Sequence, residues 1–125
     1  MTFDLNLLVQ EEDITRFELV VKSLGIDVVA GTFAFKRGTA QETRFWRVSK
    51  HEGQEHLVLD ALLVTPVFQP VWQTRMHLDF GGRAICVVSR EGLSIMKTLS
   101  GRAKDLADLQ NLGIIPADED EPEQV

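Results

Sequence analysis

Asp4, Asn6 and Asp60 are the residues whose types and setting could do chemistry. Asp4 and Asn6 stand two apart in the run Phe3-Asp4-Leu5-Asn6-Leu7-Leu8-Val9. In an extended chain residues two apart project from one face, so both can address a single ion. Asp60 interrupts the apolar stretch Leu57-Val58-Leu59-Asp60-Ala61-Leu62-Leu63-Val64. A carboxylate in such surroundings is costly unless it is paired, hydrogen-bonded or bound to metal. Hard oxygen donors of this kind suit magnesium, which also engages substrate phosphates, and two such ions can clamp the oxygens of a phosphoryl transfer. The spacing leaves an alternative open, in which Asp4 and Asn6 lie on a frayed strand and Asp60 pairs with an arginine.

Two sets of basic residues are candidates for holding an anionic substrate. Lys36, Arg37, Arg44, Arg47 and Lys50 cluster in sequence with Phe45 and Trp46 interleaved, and cations among aromatics bind phosphates and stack bases. Alternation puts Arg44 with Trp46 and Val48 on one face and Arg47 with Phe45 on the other, so a solvated hairpin with snorkelling side chains is the competing reading. Arg44 is the substrate-binding candidate from this set, and Lys97 is the other. Near Lys97, Arg102/Asp105 and Lys104/Asp108 are spaced for local pairing across helix turns. His51, His56 and His77 are scattered, with no Ser–His–Asp or Cys–His arrangement and no phosphate-loop glycine pattern.

The elements that must position these residues follow from periodicity. Residues 3 to 9, 26 to 35, 42 to 49 and 56 to 64 read as strands. Residues 11 to 24 read as a helix with Ile14, Phe17, Val20, Val21 and Leu24 at helical spacing and Gly25 as its C-terminal cap. Pro66 and Pro70 break the pattern, and 67 to 76 reads as a loop with room for a short helix. Gly81-Gly82 between 76–80 and 83–88 signals a hairpin. Cys86, the single cysteine, falls in the apolar run Ile85-Cys86-Val87-Val88 and reads as a small buried hydrophobe. Ser89 is placed to cap a helix carrying Leu93, Ile95, Met96 and Leu99, and Gly101 separates it from a final helix with Leu106, Leu109 and Leu112. The fold class is therefore α+β: a mixed β-sheet, one helix in the N-terminal half and a C-terminal helix pair.

The chain has 125 residues, enough for one domain, with 44% hydrophobic and 26% charged residues and a net charge of −6. Five of the negatives, Asp118, Glu119, Asp120, Glu121 and Glu123, lie in the last ten residues. The expected organisation is a domain over 1–115 and a disordered acidic tail over 116–125. The near-neutral body argues against strong non-specific nucleic-acid binding. One cysteine and three histidines argue against a closed zinc site, and no apolar run approaches membrane-spanning length. A cytoplasmic protein is expected.

The run Val87-Val88-Ser89-Arg90-Glu91-Gly92-Leu93-Ser94-Ile95-Met96-Lys97, continued by Gly101-Arg102-Ala103-Lys104-Asp105-Leu106-Ala107-Asp108-Leu109, resembles the closing part of bacterial nucleotidyltransferase-like proteins of the DNA polymerase beta fold, a group that includes abortive-infection toxins. Thr2 to Val9 looks like their Asp-x-Asp metal strand, and Leu59-Asp60-Ala61-Leu62-Leu63 looks like the strand of their third carboxylate. The resemblance implies transfer of a nucleotidyl group from a nucleoside triphosphate with Mg2+. It makes Asp4 and Asp60 catalytic metal ligands and puts neutral Asn6 where a second carboxylate belongs. The family's Gly-Gly or Gly-Ser segment, expected before the first metal strand, is not in this sequence. A truncated nucleotidyltransferase-like fold with a weakened Mg-nucleotide site is one expectation. A non-catalytic or antitoxin-like module that binds a protein partner or forms a homodimer is the other.

Overall fold

The computed structural model describes residues 1–100 and 123–124. The expected final helix, the charged pairs at 102–108 and most of the acidic tail lie outside the described residues. The chain gathers into two compact units, and the change falls after Val67, where Pro66 and Pro70 interrupt the strand pattern. The fold is α+β, as the periodicity predicts.

The first unit is a mixed sheet. Strand β1 (Thr2–Val9) leads through a 3-10 turn at Glu11–Asp13 into helix α1 (Ile14–Ser23). Strands β2 (Val28–Phe35), β3 (Thr43–Glu52) and β4 (Glu55–Leu63) then form an antiparallel meander. The spatial order is β1-β4-β3-β2-β7, where β7 is Glu123–Gln124. β1 runs parallel to β4, and β7 pairs antiparallel with Phe33 and Ala34 of β2. So two residues of the stretch expected as a tail lie along a strand.

Alternation divides this sheet into two unlike faces. One carries Val9, Trp46, Val48, Leu59 and Ala61, which form the core with Val21 and Ile26. Ile14, Phe17 and Val21 turn toward it from α1, at helical spacing. The Phe17 ring meets Trp46 edge-on with centroids 6.4 Å apart. Val20 and Leu24, expected on the same stripe, are exposed: Val20 lies about 60° round the helix from Phe17, and Leu24 stands just past the last helical residue, Ser23. The helix ends as Gly25 predicts. Gly25 has φ +82°, its N–H donates to the Lys22 carbonyl, and the Ile26 N–H donates back to the Val21 carbonyl at 3.1 Å. That is a Schellman ending, closed by contact-prone Val21 and Ile26, both buried.

In the second unit, the expected short helix is α2 (Gln69–Gln73). The hairpin is as predicted, β5 (Met76–Phe80) and β6 (Arg83–Val87) around Gly81 and Gly82, both at positive φ. It forms a two-stranded sheet of its own. With no third strand beside it among the described residues, β6 is exposed along most of its length. This corrects the buried-strand expectation: Cys86 is an exposed thiol. Helix α3 (Arg90–Ser100) follows. The Ser89 hydroxyl accepts the Gly92 N–H at 3.0 Å, the capping bond expected of it. No helix among the described residues is long and apolar enough to cross a membrane.

Candidate functional site

The register of the sheet brings the sequence-separated polar residues together. Asn6 on β1 lies directly opposite Asp60 on β4, and Asp60 lies directly opposite Arg47 on β3. Residues opposed across neighbouring strands share a face, about 4.8 Å apart from strand to strand. Arg47 in turn opposes Gly31 on β2. Asn6, Asp60, Arg47 and Gly31 thus form one row straight across four strands, on the face away from α1. Asp4 shares that face two residues along β1, as alternation predicts.

The centre of the row is an ion pair. Arg47 donates from Nε to Asp60 Oδ1 at 2.8 Å and from an Nη to Oδ2 at 2.9 Å. Both carboxylate oxygens are engaged by one planar fork, the strongest geometry such a pair adopts. The Asp60 side chain retains only 16% of its exposure, against 42% for Arg47, so the carboxylate is the more desolvated partner. Of the two readings open for Asp60, the arginine pair is the one found. The Arg47 guanidinium has its pKa raised, chiefly by the hydrogen bonds it donates to Asp60 and also by the charges of Asp60 and Asp4. It therefore carries its charge at every pH a folded protein meets.

Aromatic rings hold Arg47 from the other side. Its guanidinium carbon lies 5.2 Å from the Phe45 ring centre and 5.9 Å from that of Phe33. Phe33 and Phe45 are stacked with centroids 5.2 Å apart, and Phe35 leans on Phe45 at 6.1 Å. Cation–π contact within about 6 Å is attractive, so the guanidinium is seated between a carboxylate and two rings. Arg47 had counted in the sequence only as one member of a basic set. The signal that could have singled it out was its parity: it shares a face with Phe45, and not with the core residues Trp46 and Val48.

The same parity sends Arg44 to the opposite face. Arg44 Nε donates to Glu42 Oε2 at 2.8 Å, and Glu42 also accepts the Gly38 N–H at 2.8 Å. The Glu42 carboxyl is held below the usual carboxylate range by the Gly38 N–H first and Arg44 second. Arg44 is thus a neighbour of the Lys36–Glu42 turn and stands outside the Asn6–Asp60–Arg47 row. Lys97 belongs to α3, in the second unit. Two of the histidines that looked scattered are brought together: His51 opposes His56, and their rings stack 3.8 Å apart.

Among the described residues no three His, Cys, Asp or Glu side chains group as a metal site. Asp4 and Asp60 are two carboxylates, Asn6 adds a neutral oxygen, and Asp60 already holds a cation. The chain matches no family model, no curated protein and no solved structure.

Proposed function

We propose that the chain is a nucleotidyltransferase-like domain with a degenerate Mg-nucleotide site, able at most to bind a metal–nucleotide weakly. One observation carries the reading. Asp4 and Asn6 lie on a strand parallel to, and in direct register with, the strand of Asp60, so the three side chains share a face. That is the arrangement which the resembling family needs for its metal-binding oxygens. The donor set fits one divalent ion with Arg47 displaced. It does not fit two, because Asn6 supplies no charge to balance a second dication. The localisation that goes with this reading is cytoplasmic.

Calorimetric titration with Mg2+ and each nucleoside triphosphate tests the reading. The expected result is weak, saturable binding in the millimolar range that Asp60→Ala abolishes, with no nucleotidyl transfer to protein or nucleic-acid acceptors. Absence of binding at millimolar ligand overturns the nucleotide reading. Binding unchanged by Asp60→Ala moves the site elsewhere.

A second reading, a non-catalytic module that pairs with its own copy, rests on β1. Among the described strands β1 is an edge, and Phe3, Leu5 and Leu7 are exposed at 50%, 45% and 37%. An exposed edge with an apolar stripe is a template for strand addition. The stretch Phe3-Asp4-Leu5-Asn6-Leu7 is self-complementary about Leu5. Antiparallel pairing of two copies sets Phe3 opposite Leu7, Leu5 opposite Leu5, and Asp4 opposite Asn6, so no like charges meet. An antitoxin-like role would use this surface on a different partner.

A further inference from the structure

We infer that two copies of this chain pair antiparallel along β1 in the register that sets Leu5 opposite the partner's Leu5, and that Asn6 fixes this register by standing between Asp60 and the partner's Asp4. The inference rests on the self-pairing reading above and names the residue that makes the pairing selective. Neither nucleotide nor metal enters it.

The hydrogen bonds of β1 show which of its backbone groups are already committed. The His56 N–H donates to the Met1 carbonyl and the Val64 N–H to the Val9 carbonyl, both at 3.0 Å, and β1 runs parallel to β4 in unbroken register from Thr2 to Val9. A parallel ladder engages alternate residues of a strand, so Phe3, Leu5 and Leu7 turn their N–H and C=O groups to β4, in step with Met1 and Val9. Thr2, Asp4, Asn6 and Leu8 turn theirs to the edge. Antiparallel strands exchange both bonds at alternate opposed pairs. With Leu5 opposite the partner's Leu5, those pairs are Asp4 with the partner's Asn6 and Thr2 with the partner's Leu8, the residues whose backbone groups face outward. Between them Phe3 meets the partner's Leu7, which covers apolar side chains that are 50% and 37% exposed.

The same pairing lengthens the polar row. A two-fold axis normal to the sheet keeps each face on its own side, so Arg47, Asp60 and Asn6 are followed by the partner's Asp4. The Asn6 amide has two N–H donors, with a carboxylate on either side to accept them. An aspartate at position 6 would oppose two carboxylates at once, and like charges directly opposite destabilise a sheet. Neighbouring registers are poorer: centring on Asp4 sets carboxylate against carboxylate, and centring on Asn6 leaves Asp4 opposite the partner's Leu8.

The experiment is sedimentation velocity over a concentration series, in EDTA so that no metal masks repulsion between carboxylates. Wild type, Asn6→Asp and the swap Asp4→Asn with Asn6→Asp are compared after circular dichroism confirms their fold. Wild type is expected to dimerise. Asn6→Asp is expected to weaken the dimer roughly tenfold, because the two-fold axis doubles the like-charge pair. The swap is expected to restore the wild-type dissociation constant, since each introduced carboxylate then faces an amide of the other copy. Both variants carry the same repulsion against Asp60, so the difference between them belongs to the contact between copies. If Asn6→Asp does not fold, Asn6→Lys, which puts no second carboxylate beside Asp60, should keep the dimer, and Asp4→Lys with Asn6→Lys should lose it. A wild type that stays monomeric at high concentration overturns the self-pairing reading and this inference with it. A wild-type dimer that Asn6→Asp leaves intact, that the swap fails to rescue, or that survives the lysine pair overturns this inference alone.

Discussion

Arg47 and Asp60 face each other across β3 and β4 and close a two-pronged hydrogen bond, although 13 residues separate them in the chain. The pair is asymmetric, since Asp60 is 16% exposed and Arg47 42%. A stranded partner costs its own desolvation, which is larger for the more buried group. Arg47→Met is therefore expected to lower stability by about 1–3 kcal/mol, and Asp60→Asn by less, at the lower end of that range. Urea unfolding of both variants and their double checks the order; a reversed order would show that Asp60 is well solvated.

Acid sensitivity should trace to Glu42. Its carboxyl is held below the ordinary range by the Gly38 N–H and the Arg44 guanidinium. A depressed folded pKa contributes stability above the unfolded value near 4.5, and that contribution is lost as pH falls through the folded value. Glu42→Gln should destabilise at pH 7, with the difference from wild type shrinking below about pH 4.5. Denaturant midpoints at pH 7 and pH 3.5 measure this. A difference independent of pH would assign the effect of Glu42 to something other than its charge.

The platform under the row rests on Trp46. It is buried at 5% exposure, meets Phe17 edge-on, and directly precedes Arg47. Trp46→Ala is expected to cost about 3–5 kcal/mol, enough to unfold a marginal domain. Thermal unfolding gives the value, and a loss under about 1 kcal/mol would mean that α1 does not pack on this face as described.

If β1 joins copies, light scattering should show a dimer that forms with concentration. Leu5→Lys, which puts two ammonium groups face to face at the centre of the pairing, should give a monomer with unchanged circular dichroism. A wild-type monomer at high concentration ends the self-pairing reading.

Three residues in the second unit report on α3 and β6. Ser89→Ala removes the cap bond to Gly92 and is expected to cost about 1 kcal/mol. A Cβ on Gly92 would lie 3.0 Å from Val88 and 3.1 Å from Val71 side-chain carbons, so Gly92→Ala should destabilise as well. Exposed Cys86 should react stoichiometrically with a thiol reagent in the native protein. Protection until denaturation would restore the buried reading that its apolar neighbours suggest.

What the sequence determined by itself was local. Gly25 announced the end of α1, Ser89 the start of α3, and Gly81-Gly82 the β5–β6 hairpin, because caps and turns are satisfied within a few residues. Period-two alternation placed Asp4 with Asn6 and separated Arg44 from Arg47. Alternation cannot say which strand lies beside which, nor which face a third element covers. The parallel pairing of β1 with β4 set Asn6 against Asp60, and the β3–β4 register set Arg47 on the same carboxylate. The expectation for Cys86 failed for the same reason: an apolar run signals burial only if something packs on it, and among the described residues β6 has β5 as its one strand neighbour. The sequence showed that Asp60 needed a partner in its apolar strand; the strand order decided that the partner is Arg47.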